Sequence, residues 1–202
     1  MLNILITGVG GQGTVLAAKV LAQAAQERGW QVRTAETIGM AQRGGSVVSH
    51  VRMGNDGEEV YAPLLAHASA DLIIAFEPAE AARVLPYLAP AGSLVTARTA
   101  IQPVTAALST DPYEGPRMVA QLAEAFADRP DQLTIIDDER LLAAVGNRKA
   151  LNIVLLASAV ARGYLPLSVD DLRRAVAACV KPRFVELNDH AIDVALAAER
   201  SA

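Results

Sequence analysis

The stretch Gly8-Val-Gly-Gly-Gln-Gly13 limits what this chain can fold into more than any other. Before it runs the apolar Leu2-Asn-Ile-Leu-Ile-Thr7, and after it comes Thr14-Val-Leu-Ala-Ala-Lys19, so the order reads as strand, tight turn, helix. Glycines at 8, 10 and 13 satisfy the G-x-G-x-x-G spacing in the context that spacing requires. Gly8 permits the turn, Gly10 lets a backbone or a phosphate approach, and Gly13 lets the helix sit close on the sheet. The free N–H groups of the first helical turn then favour an anion above the loop. A nucleoside triphosphatase loop does not fit, because Thr14 stands where the phosphate-reaching lysine would be.

Apolar positions keep helical spacing through residues 12–28, with Gly29 placed to end the helix. Trp30 to Glu36 alternates as a second strand. Glu36 lies about where a dinucleotide fold places its ribose-binding acid, so a nicotinamide-dependent oxidoreductase using Gly8, Gly10, Gly13 and Glu36 is the alternative to hold open. Against it, the second strand does not lead into a helix. Thr37 to Gly45 is a glycine-punctuated loop, and Ser46 to Met53 is another alternating strand. The turn chemistry of Gly54-Asn-Asp-Gly57 predicts that Glu58 to Tyr61 returns as its hairpin partner.

Strand and helix then alternate. Asp71 to Phe76 is a buried strand, Ala79 to Leu88 a helix after Pro78, and Gly92 to Thr96 a strand. The longest irregular stretch is 103–115, before a helix over Pro116 to Ala127 and a short strand over Gln132 to Ile136. Helices follow over Asp137 to Val145, Arg148 to Arg162, Val169 to Cys179 behind the capping box of Ser168 and Asp171, and Pro182 to Arg200. The expected fold is α/β: a Rossmann-like, mostly parallel sheet with a β-hairpin insertion and a C-terminal group of helices, in one domain spanning 1–202.

Composition narrows the chemistry. A net charge of −4 gives no basic field for nucleic acid. The single cysteine, Cys179, allows no internal disulfide, and an iron–sulfur cluster needs about four thiolates. It falls in the apolar register of a helix, where a free cysteine is usually a small hydrophobe. Ala150 to Ala161 is the most apolar helical stretch, but it contains Asn152 and Ser158 and falls short of the ~20 residues of a membrane span. With no charged leader ahead of the first strand, a cytoplasmic location is expected. His50, His67 and His190 lie far apart, without a nucleophile elbow or metal-ligand spacing. His50 reads as a structural strand residue and the other two as surface positions. Neither a catalytic set nor a metal site is expected. The abundant alanine suits a tightly packed core or a face that meets another subunit.

The loop Gly39-Met-Ala-Gln-Arg-Gly-Gly45 is the remaining candidate. It leaves its strand at the same carboxyl edge as the first glycine turn, where open α/β sheets bind ligands. Two glycine loops side by side, with Arg43, suit a diphosphate or a carboxylate.

Taken with Gly8 to Gly13, the run Glu36-Thr-Ile-Gly-Met-Ala-Gln-Arg-Gly-Gly45 into Ser46-Val-Val-Ser-His-Val-Arg52 resembles the gamma-type domain of 2-oxoacid:ferredoxin oxidoreductases. The resemblance continues through Asp71 to Glu77, Pro90-Ala-Gly-Ser93 and the helix from Asn152 to Pro166. Met40, Ala41 and Gln42 are similar to the indolepyruvate (arylpyruvate) branch, whose small component is a beta subunit. The resemblance implies oxidative decarboxylation of a 2-oxoacid with coenzyme A, giving acyl-CoA, carbon dioxide and reduced ferredoxin. It places thiamine diphosphate, Mg and the iron–sulfur clusters on a large alpha subunit, and makes this chain non-catalytic alone. It also implies a dimer of heterodimers, reached by ferredoxin through the complex. Carried over for contact with coenzyme A are Gly10, Gly11, Gln12, Gly13, Arg43, Gly44 and Gly45.

Overall fold

The computed structural model describes residues 1–39, 44–101 and 113–200. Six strands form one sheet: β1 (Leu2–Val9), β2 (Gln31–Ile38), β3 (Ser46–Gly54), β4 (Ala70–Ala75), β5 (Leu88–Ala97) and β6 (Leu133–Ile136), in the spatial order β2-β3-β1-β4-β5-β6. Only β3 runs against the rest. It pairs antiparallel with both β1 and β2, while β1, β4, β5 and β6 pair in parallel.

Period-two alternation sends the strands' side chains into two cores. Ile4, Ile6, Leu72, Ile74, Val95 and Ala97 face a thick helical layer. That layer is built from α1 (Thr14–Glu27), α4 (Asp138–Val145), α5 (Leu151–Ala161), α6 (Val169–Cys179) and α7 (Val185–Glu199). On the other face Leu5, Ile73, Ala75 and Leu94 meet a thin layer, α2 (Pro78–Val84) and α3 (Gly115–Ala125, with Phe126 just beyond). Helix α5 lies wholly inside: Leu151 to Val160 are all buried. Each fully buried Leu, Ile or Val contributes about 1.5–3 kcal/mol. The alanines of α1 at 17, 18, 24 and 25 are buried, which lets this helix approach its neighbours closely.

Two sequence expectations are corrected here. The hairpin is real, but its partners are β2 and β3, joined across the 39–45 loop, not β3 and Glu58 to Tyr61. Asn55 and Asp56 do turn, yet both edges of β3 are already taken by β1 and β2, so the following residues find no edge to pair with. The second correction concerns Glu36. Its strand is the sheet edge, and β3 separates it from β1. Neighbouring strands lie about 4.8 Å apart, so Glu36 stands a full strand farther from the glycine turn than a ribose-binding acid would. The dinucleotide alternative loses its second half.

The capping box is as expected. Ser168 Oγ accepts from the Asp171 N–H at 3.1 Å, and Asp171 Oδ2 accepts from the Ser168 N–H at 2.9 Å. Those bonds, led by the Ser168 N–H, hold the Asp171 carboxyl below the usual carboxylate range.

Candidate functional site

Strand β1 feeds α1 on the thick layer and β4 feeds α2 on the thin one, so the helices diverge at the carboxyl ends of two adjacent strands. That divergence opens a crevice, the usual ligand position in an open α/β sheet.

The glycine turn forms its floor. A side-chain carbon at Gly8 would stand 2.8 Å from Gln12 Oε1 and 2.9 Å from Phe76 Cβ, so no side chain fits. Gln12 folds inward. Its Oε1 accepts from the Val9 N–H at 2.7 Å, and its Nε2 donates to the Phe76 carbonyl at 2.9 Å, tying the end of β1 to the end of β4. Both polar atoms of that amide are therefore engaged by the protein's own backbone. Gly13, with φ +91°, precedes α1, whose first turn has neither a side-chain cap nor an acidic residue. The two glycine loops do lie together: the Gly10 N–H donates to the Gly45 carbonyl at 2.9 Å. The Gly39 N–H closes the hairpin on the Ser46 carbonyl at 2.8 Å, and Gly44 takes φ +76°. Met40 to Arg43 lie outside the described residues, Arg43 among them.

On the α1 side of the crevice a cleft of about 470 Å³ is lined by Gly11, Gly13, Leu16, Asp138, Arg148, Lys149 and Asn152, among others. Asn152, in the first turn of α5, is 3% exposed, and its Oδ1 has no hydrogen-bond partner among the described residues. Its amide packs against Gly13, where a side-chain carbon would come within 3.2 Å of Nδ2. Asp138 Oδ1 accepts from the Arg98 and Thr99 N–H groups at 3.0 and 2.9 Å. Arg148 and Lys149 are exposed and form no ion pair with any described residue. An apolar cavity of about 320 Å³ beside Val180, Phe184 and Leu187 shares Leu16, Lys149 and Asn152 with this cleft.

The α2 side is closed by the protein's own groups. Glu77, 1% exposed, accepts from the Glu80 N–H at 2.9 Å through Oε2 and from the Tyr113 hydroxyl through Oε1. Burial first, and that carboxylate second, push the Tyr113 phenol above its ordinary value. Glu80, also buried, accepts from Ser46 Oγ at 2.5 Å and so anchors the base of the 39–45 loop.

Neither Asn152 with its cationic neighbours nor Glu77 with Tyr113 was singled out as a site from sequence. The available signal was a lone asparagine opening an otherwise apolar helix. The histidines are where they were expected. His50 is buried with Nδ1 accepting from the Leu65 N–H at 3.2 Å, whereas His67 and His190 are exposed. Burial pushes the Cys179 thiol up, and it points its hydrogen at the Lys19 carbonyl, 3.8 Å away, so it is a poor nucleophile. Among the described residues no group of three His, Cys, Asp or Glu is placed to hold a metal ion, and no single helix is long and apolar enough to cross a membrane.

The family model described as pyruvate ferredoxin/flavodoxin oxidoreductase matches residues 3–198. The chain is 34% identical over 198 residues to the indolepyruvate oxidoreductase subunit IorB of Pyrococcus horikoshii, covering 98% of this chain and 96% of the relative. To the protein of the same name from Archaeoglobus fulgidus it is 34% identical over 187 residues, 93% and 90% of the two chains. In fold it is similar to the gamma subunit of the keto/oxoacid ferredoxin oxidoreductase of Geobacter sulfurreducens, with a TM-score of 0.69, 24% identity and full coverage of both chains. The 2-oxoglutarate:ferredoxin oxidoreductase of Magnetococcus marinus, solved with 2-oxoglutarate, coenzyme A and succinyl-CoA, contains the same fold in 31% of its chain, covering all of this one (TM-score 0.70, 18% identity).

Proposed function

Because the chain belongs to the pyruvate ferredoxin/flavodoxin oxidoreductase family, we propose that it is the beta subunit of an indolepyruvate-type 2-oxoacid:ferredoxin oxidoreductase, a single gamma-type domain over 1–202. The observation that carries this reading is 34% identity sustained over nearly the whole length of subunits bearing that name. The complex cleaves the bond between the 2-oxoacid's carbonyl carbon and its carboxylate, releases carbon dioxide, and joins the acyl group to the coenzyme A sulfur. Two electrons leave to ferredoxin. Thiamine diphosphate with Mg supplies the carbanion chemistry and iron–sulfur clusters the electron path.

This chain's residues do not fit a cluster, since one cysteine cannot replace about four thiolates. By the likeness to such subunits, thiamine diphosphate, Mg and the clusters are assigned to a large alpha subunit, and the assembly to a cytoplasmic dimer of heterodimers. The part left to this chain is positional. The crevice at the carboxyl edge faces coenzyme A, with Gly10, Gly11 and Gly13 letting its phosphates approach the backbone and Arg43, Gly44 and Gly45 meeting them from the second loop. Gln12 holds the turn in shape, and Glu80 fixes the foot of the second loop through Ser46.

Co-purification tests the assembly: a large iron–sulfur protein is expected to come with this chain from its native host. The free chain, purified without oxygen, is expected to turn over no indolepyruvate; turnover without a partner overturns the reading. In the complex, Arg43→Ala is expected to raise the KM for coenzyme A and leave assembly intact. An unchanged KM removes Arg43 from the site.

A further inference from the structure

The two edges of the sheet are finished differently. β6 is four residues long, and the Tyr164 hydroxyl bonds both Thr134 Oγ1, 3.1 Å away, and the Asp131 carbonyl, at 2.8 Å. β2, at the opposite edge, runs for eight residues and pairs with β3 residue for residue from Gln31 to Ile38. It carries no proline, lysine or bulge, the devices that usually blunt an edge. The hairpin shows which of its backbone groups are free. The Gly39 N–H donates to the Ser46 carbonyl, so the odd-numbered residues of β2 bond inward to β3. The N–H and C=O groups of Val32, Thr34, Glu36 and Ile38 therefore point outward. Among the described residues only the Arg33 guanidinium reaches them, at the Val32 carbonyl, 3.2 Å away. Ile38, on the same edge, is 66% exposed.

We propose that β2 pairs antiparallel with β2 of a second copy of this chain, about a two-fold axis through Ala35. A two-fold axis normal to a continuous sheet keeps thick layer beside thick layer. Residues opposite each other must then share a face, which leaves few registers. Centring on Arg33 sets two guanidinium groups against each other, and centring on Glu36 two carboxylates. Centring on Thr34 puts Ile38 opposite Trp30, beyond the end of the strand. Ala35 is the middle of the four outward residues, so each meets an outward partner. Val32 faces Ile38 of the second copy, and Thr34 faces Glu36 of the second copy. By symmetry these pairs form twice, making about eight hydrogen bonds, and the Arg33 guanidinium yields the Val32 carbonyl to one of them. Arg33 itself comes opposite Thr37 of the second copy, so no like charges meet. The exposed Ile38 gains an apolar neighbour in Val32, which already packs on the thick-layer core. At the axis stands an alanine, small enough for a pair whose Cα atoms approach to about 4.5 Å. The pairing needs neither coenzyme A nor the large subunit.

The test is the molar mass of the free, full-length chain by sedimentation equilibrium over a range of concentrations. The mass is expected to rise from that of one chain toward that of two. Thr34→Pro removes an outward N–H without touching the bonds to β3, and is expected to raise the dissociation constant about tenfold or more. Register is read by cysteine pairing in a Cys179→Ser background. Ala35→Cys is expected to give a disulfide-linked dimer on mild oxidation, because Cα atoms at the axis lie within disulfide reach. Thr37→Cys, whose twin stands about 14 Å away, is expected to cross-link about tenfold more slowly or less. Should Thr34→Pro fail to fold, the cysteine comparison carries the test. A chain that stays monomeric at millimolar concentration overturns the proposal. So does a dimer that folded Thr34→Pro leaves as tight as before, or cross-linking no faster at 35 than at 37. A monomeric free chain whose Thr34→Pro variant sheds the large subunit from the complex gives the edge to a strand of that subunit, and likewise overturns self-pairing.

Discussion

The two walls of the crevice are built from the same kind of element, a strand running into a helix, and finish it in opposite ways. On the α2 wall, Glu77 caps the helix and accepts a hydrogen bond from the Tyr113 hydroxyl, Glu80 accepts from Ser46, and each buried acid has a partner. On the α1 wall a glycine stands at the cap position, and the buried Asn152 Oδ1 has no hydrogen-bond partner among the described residues. A fold that closes one helix start with its own side chains has the means to close the other. The α1 wall stays open beside two cations that form no ion pair with any described residue, while the α2 wall is filled by its own side chains.

Substitutions can break this contrast, starting with the floor the walls share. Gly8→Ala drives a carbon into Gln12 and Phe76 and is expected to cost about 2–3 kcal/mol, a Tm lowered by about 5–10 °C in thermal melts. Gly11→Ala, at φ +101° with open space around it, is strained only by its backbone and is expected to cost about 1 kcal/mol. Equal losses at the two positions would mean that the turn is no tighter toward the sheet than toward the cleft. Next comes the closed wall. Glu77→Ala removes a cap and strands a half-buried hydroxyl, for an expected loss of about 2 kcal/mol in denaturant unfolding.

His50, on the thin-layer face near Tyr87, reports how dry that side is. Burial lowers its folded pKa below the unfolded value of about 6.5. The unfolded chain then binds the proton first, so stability is expected to fall as pH drops below about 6.5 and to level off beneath the folded pKa. His50→Gln should flatten that part of a Tm-against-pH curve; an unaltered slope would assign the acid sensitivity elsewhere. The smallest effect belongs to the open wall. Asn152→Leu replaces an unsatisfied polar group by an apolar one of similar size, and the chain is expected to be as stable as before or slightly more so. A clear loss would show that Asn152 serves the fold.

What could be read from sequence followed the range of the interactions involved. The capping box at Ser168 and Asp171, and helix α6 behind it, depend on bonds three residues apart and were legible to the residue. So was the meeting of the two glycine loops, because both leave strands at one edge of a sheet. Strand order was not. Whether β3 lies between β1 and β2 is decided by pairings that local alternation cannot rank, and that choice removed both the Glu36 site and the expected 58–61 return strand. Asn152 and Gly13 are far apart in the chain, so their contact had no local signature.

The interior position of α5 also bears on how the protein is made. Leu151 to Val160 are apolar nearly all round, and α7, which packs against α5, is synthesised later. While α7 is still within the ribosome, a finished α5 offers neighbouring chains a sticky surface. A ribosome stalled between the two helices would leave that apolar face of α5 uncovered.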